Sequence, residues 1–157
     1  MADFAAQRPG FGLRKQSAVD MEFLTALFVA CSPLSTSLPL QMVADQARFR
    51  EIGHEAAFPN ASGWIVLSAE IPIGRIVIDW DTDNFSHCVD IALIPAEQGK
   101  GIGTHLLKAW TNECSLLQRD ASLHVLATSP ALVLYQRLGF VGSPDPGHPM
   151  IAMVRLA

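Results

Sequence analysis

Residues 96–107, AEQGKGIGTHLL, constrain this chain more than any other stretch. Gly99, Gly101 and Gly103 fall within five residues, and an apolar pattern at helical spacing follows at once. Glycine reaches positive φ and leaves no side chain between backbone and ligand. A helix starting near Ile102 leaves the N–H groups of its first turn unpaired. Those groups and the helix dipole favour a negative charge by about 0.3–1 kcal/mol at an exposed site. The segment is therefore either an anion-binding turn or a plain link from strand to helix. Two familiar phosphate loops do not fit it. The Walker pattern needs Ser or Thr after its lysine, but Lys100 is followed by Gly101. The dinucleotide fingerprint needs a sixth-position glycine where Thr104 stands, and the acidic residue expected further on has only Asp120, in a turn, as a counterpart.

The 157 residues read as one domain, 1–157, with residues 1–10 as a loose leader. A formal net charge of -4 argues against a nucleic-acid surface. No run of basic residues suggests an anionic membrane, and no stretch approaches the roughly 20 apolar residues of a bilayer span. Cys31, Cys88 and Cys114 are far apart and lack metal-ligand spacing. With no secretory signal at the start, the expectation is a soluble cytoplasmic protein with reduced thiols.

The periodicity predicts an order of elements. FGLRKQ reads as a strand, and VDMEFLTALFVA and LQMVADQARFREIGHEAAF as helices. GWIVLSAE, IPIGRIVIDW and HCVDIALI read as an antiparallel meander stopped by Pro95. A helix from the glycine segment to about Gln118, the strand SLHVLA, the short helix SPALVLYQRLGF and the strand PMIAMVRL complete it. Ser129, Pro130 and Gly139 suit the cap, first turn and end of that short helix. The result is a β-α-α-β-β-β-α-β-α-β chain of mixed α/β class.

Gln98, Gly101 and Gly103 form Q-x-x-G-x-G behind a strand. ALVLYQRLGF, some 30 residues downstream, supplies Leu-Tyr and then Leu-Gly-Phe. In these two spaced motifs and in its element order, from about Phe11 to Leu156, the chain resembles the GNAT superfamily of acyl-CoA-dependent N-acetyltransferases. The resemblance implies a three-layer α/β/α fold whose mixed, mostly antiparallel sheet splays between the fourth and fifth strands. It implies acetyl-CoA as co-substrate and no metal. Gln98 belongs to the motif, and the coenzyme A pyrophosphate would meet the amides of Gly99, Lys100, Gly101, Ile102, Gly103 and Thr104. The pantetheine arm would lie along Ile91, Ala92 and Leu93, with a backbone amide of that strand polarising the thioester carbonyl. Thr128 stands where many members carry a pantetheine-binding Asn.

Tyr135 matches the tyrosine that protonates the departing thiolate in many members; its place in the stripe Ala131, Leu134, Tyr135, Leu138 also suits ordinary core. Asp90 is the candidate general base, against a structural carboxylate as the other reading, and His87 is a second candidate. DWDTDN, with Asp79, Asp81 and Asp83, and Asp90 at the twelfth place, reads as an acidic turn and not a calcium loop: Asn84 replaces the glycine, and the flanks are strands. The acceptor, a small-molecule or peptide amine, would lie near CSPLSTSLP and GSPDPGHP, within reach of His54, Glu55 and His148. Dimers are frequent in the family, which makes a homodimer an expectation. The implied activity is direct transfer of an acetyl group to a primary amine. The alternative is an acyl-CoA sensor or partner subunit without turnover.

Overall fold

The computed structural model describes residues 10–32, 37–80, 84–144 and 147–157. Among these residues six strands form one sheet in the order β1-β2-β3-β4-β5-β6. They are β1 Phe11–Lys15, β2 Ser62–Ser68, β3 Ile71–Asp79, β4 Phe85–Leu93, β5 Asp120–Leu126 and β6 Met150–Arg155. Among the described residues four α-helices join them: α1 Met21–Cys31, α2 Leu40–Ala57, α3 Ile102–Leu116 and α4 Ala131–Arg137. Every neighbouring pair of strands is antiparallel except β4 and β5, which are parallel. This is the mixed α/β/α arrangement expected from the sequence.

The two faces of the sheet carry separate apolar clusters. Ile65 and Leu67 pack with Leu24 of α1 on one face. Val66, Ile76, Ile78, Cys88 and Leu123 pack with Ile102, Leu106, Leu107 and Trp110 of α3 on the other. Alternation along a strand produces this division, because successive side chains point to opposite faces. Trp110 is fully buried, and its indole N–H donates to Ser86 Oγ at 2.8 Å, so its one polar atom is satisfied. No described helix is long and apolar enough to cross a membrane.

Strict alternation fails at one place on β4. Val77 of β3 faces Asp90, but Ile78 faces Cys88, so Val89 is an extra residue on β4. Such a bulge re-aims the side chains beyond it. Ser86 and Cys88 turn to the α3 face, where Ser86 meets Trp110 and Cys88 joins the core. Past the bulge, Asp90 turns to the α1–α2 face and meets Arg50 of α2. The bulge thus puts Cys88 and Asp90, two residues apart, on opposite faces of the sheet.

β4 and β5 also separate. They pair from Phe85↔Asp120 to Cys88↔Leu123 and no further. β5 continues against β6 as far as Leu126↔Met150, while β4 continues against β3 as far as Leu93↔Gly74. The backbone of residues 89–93 therefore has no strand on its β5 side.

Candidate active site

The opening between β4 and β5 is a cavity of about 450 Å3. Val89 and Ile91 line it from β4, Leu123 and Val125 from β5, and Tyr135 from α4. It reaches the other side of the sheet, where Arg50, His54 and Phe58 close it from α2 and the residue after it. Two smaller spaces adjoin. One of about 220 Å3 lies among Leu27, Phe28, Cys31, Arg50, Asp90 and Ala92. The other, of about 430 Å3, involves Gln16, Glu51, His54, Glu55, Phe58 and Val89.

The glycine segment stands beside this opening. A 3-10 turn at Pro95–Glu97 ends the strand, and Gly101 caps α3 with φ 80°. Gly99 is also left-handed, at φ 73°. Both conformations are strained for side chains with a Cβ, which explains the spacing of the glycines. The ladder of α3 begins with His105 N donating to Gly101 O at 3.1 Å. The amides of Ile102, Gly103 and Thr104 stand ahead of it, at the positive end of a 15-residue helix. Lys100 pairs with Glu97 at 2.9 Å. The Gln98 amide donates to Leu93 O at 2.8 Å, and the Cys31 thiol reaches the same carbonyl at 3.2 Å. Gln98 is thus a brace that ties the turn to the end of β4.

Tyr135 is 7% exposed and packs edge-on to Phe140, with ring centroids 6.1 Å apart. Its hydroxyl has no hydrogen-bond partner among the described residues, and the residue lines the cavity. Burial, then Cys88 and Asp90, lift the phenol well above its ordinary value. The local chain fits its sequence signals. Ser129 Oγ accepts from Ala131 N at 3.2 Å. Gly139 ends α4 at φ 87°, and Phe140 N reaches back to Tyr135 O at 3.1 Å. Thr128 is exposed in the turn before α4.

Asp90 sits in an ion cluster. Arg75 Nε donates to it at 2.5 Å, and Arg50 Nη2 donates to its other oxygen. Arg75, 3% exposed, also grips Glu51 with bonds of 2.7 and 2.6 Å. Burial pushes the Asp90 carboxyl up, but Arg75 and Arg50 outweigh it and leave it below the usual carboxylate range. Glu51 and Asp90 hold Arg75 firmly charged against its own burial. A carboxylate so engaged has both oxygens occupied and a lowered basicity, which works against the general-base expectation. The cluster itself was missed from sequence. Its signal was an arginine inside IPIGRIVID and an aspartate inside HCVDIAL, two charges in apolar strands that burial obliges to pair.

His87 is brought to the cavity wall with His124 of β5 beside it, a neighbour that the sequence did not suggest. His54 reaches two of the spaces, and burial, then Arg50, hold its imidazole below the ordinary value. Glu55 lines one, while His148 is exposed. The acceptor segments and the acidic turn lie partly outside the described residues, at 33–36, 145–146 and 81–83. Among the described residues no group of three or more His, Cys, Asp or Glu is arranged to hold a metal ion.

A strand pair that opens beside a helix-capping glycine turn, with a buried tyrosine on its wall, defines an acyltransferase-like α/β domain. The acetyltransferase (GNAT) domain family matches residues 59–142, more than half of the chain. The chain belongs to the GNAT acetyltransferase family. The fold is similar to that of the PaiA N-acetyltransferase from Thermoplasma acidophilum, solved in complex with coenzyme A, at a TM-score of 0.71 and 17% identity over 94% of this chain and 99% of that one. An acetyltransferase from Thermus thermophilus gives 0.70 and 19% over 94% and 97%. A spermidine N-acetyltransferase SpeG chimera from Vibrio cholerae and hSSAT gives 0.66 and 20% over 94% and 95%. Among curated proteins none matches.

Proposed function

We propose that this protein transfers an acetyl group from acetyl-CoA to a primary amine by direct attack. The observation that carries the reading is the parting of β4 and β5 after Cys88↔Leu123, which frees strand backbone next to the amides at the start of α3. The diphosphate of coenzyme A would lie on the amides of residues 99–104, and Lys100 would add charge at the rim. Gln98 acts by holding the turn. The pantetheine arm would follow the free side of Ile91, Ala92 and Leu93, with Thr128 near its far end. An amide of β4 would take the oxyanion, a contact worth about 10²–10³ in kcat in comparable sites.

Tyr135 fits the acid that protonates the departing thiolate. Its phenol stays protonated at neutral pH, and its hydroxyl keeps a hydrogen to give. For Asp90 the proposal departs from the sequence expectation: its part is to anchor Arg50 and Arg75 and fix the edge of β4. The engagement of Asp90 favours a second reading, acyl-CoA binding without turnover. Thiol release from acetyl-CoA over a panel of amines, beside calorimetry with acetyl-CoA, separates the two. Turnover supports the enzyme, and binding without any thiol release supports the sensor. With no binding, both fall.

A further inference from the structure

The acceptor is left open by the acetyltransferase reading, on which this inference rests. The four charged groups around Asp90 cancel in sum, but they do not meet the cavities equally. Arg75 and Asp90 are 3% and 6% exposed, and Arg75 holds both oxygens of Glu51, which is 19% exposed. Arg50, at 34%, is the open member, so the cluster turns its positive side to the cavities. Arg50 lines both the cavity that contains Tyr135 and the space of about 220 Å3 beside Ala92. Two contacts fix its orientation. Nη2 donates to Asp90 Oδ1, and Cζ lies 5.4 Å from the centre of the Phe28 ring. The two hydrogens of Nη2 belong to different two-donor edges of the guanidinium. Asp90 takes one of them, and no other described residue bonds to the guanidinium. One forked edge therefore remains whole, and that fork matches the geometry of a carboxylate.

We infer that the acceptor is an α-amino acid whose carboxylate pairs with Arg50 and whose apolar side chain enters the smaller space. Leu24, Leu27 and Phe28 give that space an apolar wall from α1, which favours the burial of carbon. Ile91 lines both spaces, as Arg50 does. An amine one carbon from the carboxylate is thus set beside the free edge of β4, where the thioester would lie. The α-ammonium first gives one proton to water. The amine then attacks the thioester carbonyl, the C–S bond breaks, Tyr135 protonates the thiolate, and the second nitrogen proton restores the phenol. An N-acetyl amino acid and a free thiol result, with one proton released. A second cation on the acceptor suits this place badly, because Arg50 repels it. Glu55, which would attract such a cation, lines the third space, in which Arg50 has no part.

The test begins with calorimetry on the full chain loaded with coenzyme A. The titrants are N-acetyl-alanine, N-acetyl-leucine and N-acetyl-phenylalanine, each beside the N-alkylacetamide that lacks only its carboxylate. At least one acid is expected to bind about 10²-fold more tightly than its neutral counterpart. Equal binding within every pair, or binding of neither member, overturns the inference and leaves the acetyltransferase reading intact. Kinetics with acetyl-CoA supply the second measurement. For the best amino acid and its decarboxylated amine, the ratio of kcat/KM values is compared between wild type and Arg50→Gln, which cancels the different basicities of the two amines. That ratio is expected to fall by about 10²-fold in Arg50→Gln and by less in Arg50→Lys, which keeps the charge but loses the fork. An unchanged ratio, or wild-type turnover of spermidine in preference to every amino acid, overturns the inference. Where Arg50→Gln does not fold, Arg50→Lys and the wild-type calorimetry decide. Failure of the wild type to bind coenzyme A removes the acetyltransferase reading, and the amino-acid acceptor with it.

Discussion

Residues 90 and 135 carry the sharpest contrast between a charged group used for structure and a neutral one available for chemistry. Asp90 has two guanidinium partners, one of them on a nearly inaccessible arginine. Removing one partner of such a pair leaves a buried charge uncompensated. Asp90→Asn is therefore expected to lower unfolding free energy by roughly 3 kcal/mol, read by urea titration. Unchanged stability with abolished turnover would return Asp90 to the role of base. Tyr135→Phe keeps the ring against Phe140 and removes only the hydroxyl. Steady-state kinetics should show kcat reduced by about 10²-fold or more with little change in acetyl-CoA affinity. Undiminished kcat across acceptors would remove Tyr135 as the acid. Sequence motif alone pointed to Tyr135, because its neighbours Leu134 and Gly139 fix the local helix. It could not reveal the partners of Asp90, since they come from α2 and β3 and only the folded register brings them together.

Elements decide which face each group meets. β4 was legible as a strand from its branched residues, and its end from Pro95. Its bulge was not, because Ser86, Cys88 and Asp90 alternate without interruption in sequence and only the pairing with β3 exposes Val89 as extra. The consequence is testable. A chain lacking Val89 keeps Cys88 opposite Ile78 and Asp90 opposite Val77, so each side chain stays on its own face and only the bulge is removed. Circular dichroism and gel filtration of that deletion should show the folded state retained. Loss of the folded state would mean that the extra residue is needed by the fold itself. The glycine turn was legible for the opposite reason: its function is local, held in two left-handed residues and one helix end. His87 was visible as a candidate, but its pairing with His124 depends on parallel strands that lie more than 30 residues apart in sequence.

At the scale of the whole molecule, two apolar layers sandwich a sheet that is continuous on one end and split in the middle. The continuous end is tied by Asp20, which accepts from Arg14 at 2.9 and 2.5 Å and from Ser17 N at 2.8 Å. Hydrogen bonds from Arg14, against burial, hold its carboxyl well below the usual range. A carboxylate depressed by folding stabilises above its unfolded value and loses that contribution as pH falls toward the folded one. The stability advantage of wild type over Asp20→Asn, read from urea midpoints, should therefore be full at pH 7 and shrink below about pH 4. An advantage independent of pH would show that Asp20 acts by packing alone. The split end carries the proposed function. Calorimetric titration of the wild type and of Gly101→Glu with acetyl-CoA tests it most directly, since the glutamate puts bulk, strain and negative charge where the diphosphate would rest. Saturable binding by the wild type, lost in a variant whose circular dichroism is unchanged, is the predicted result; equal affinity in both proteins, or no heat from the wild type, would contradict it.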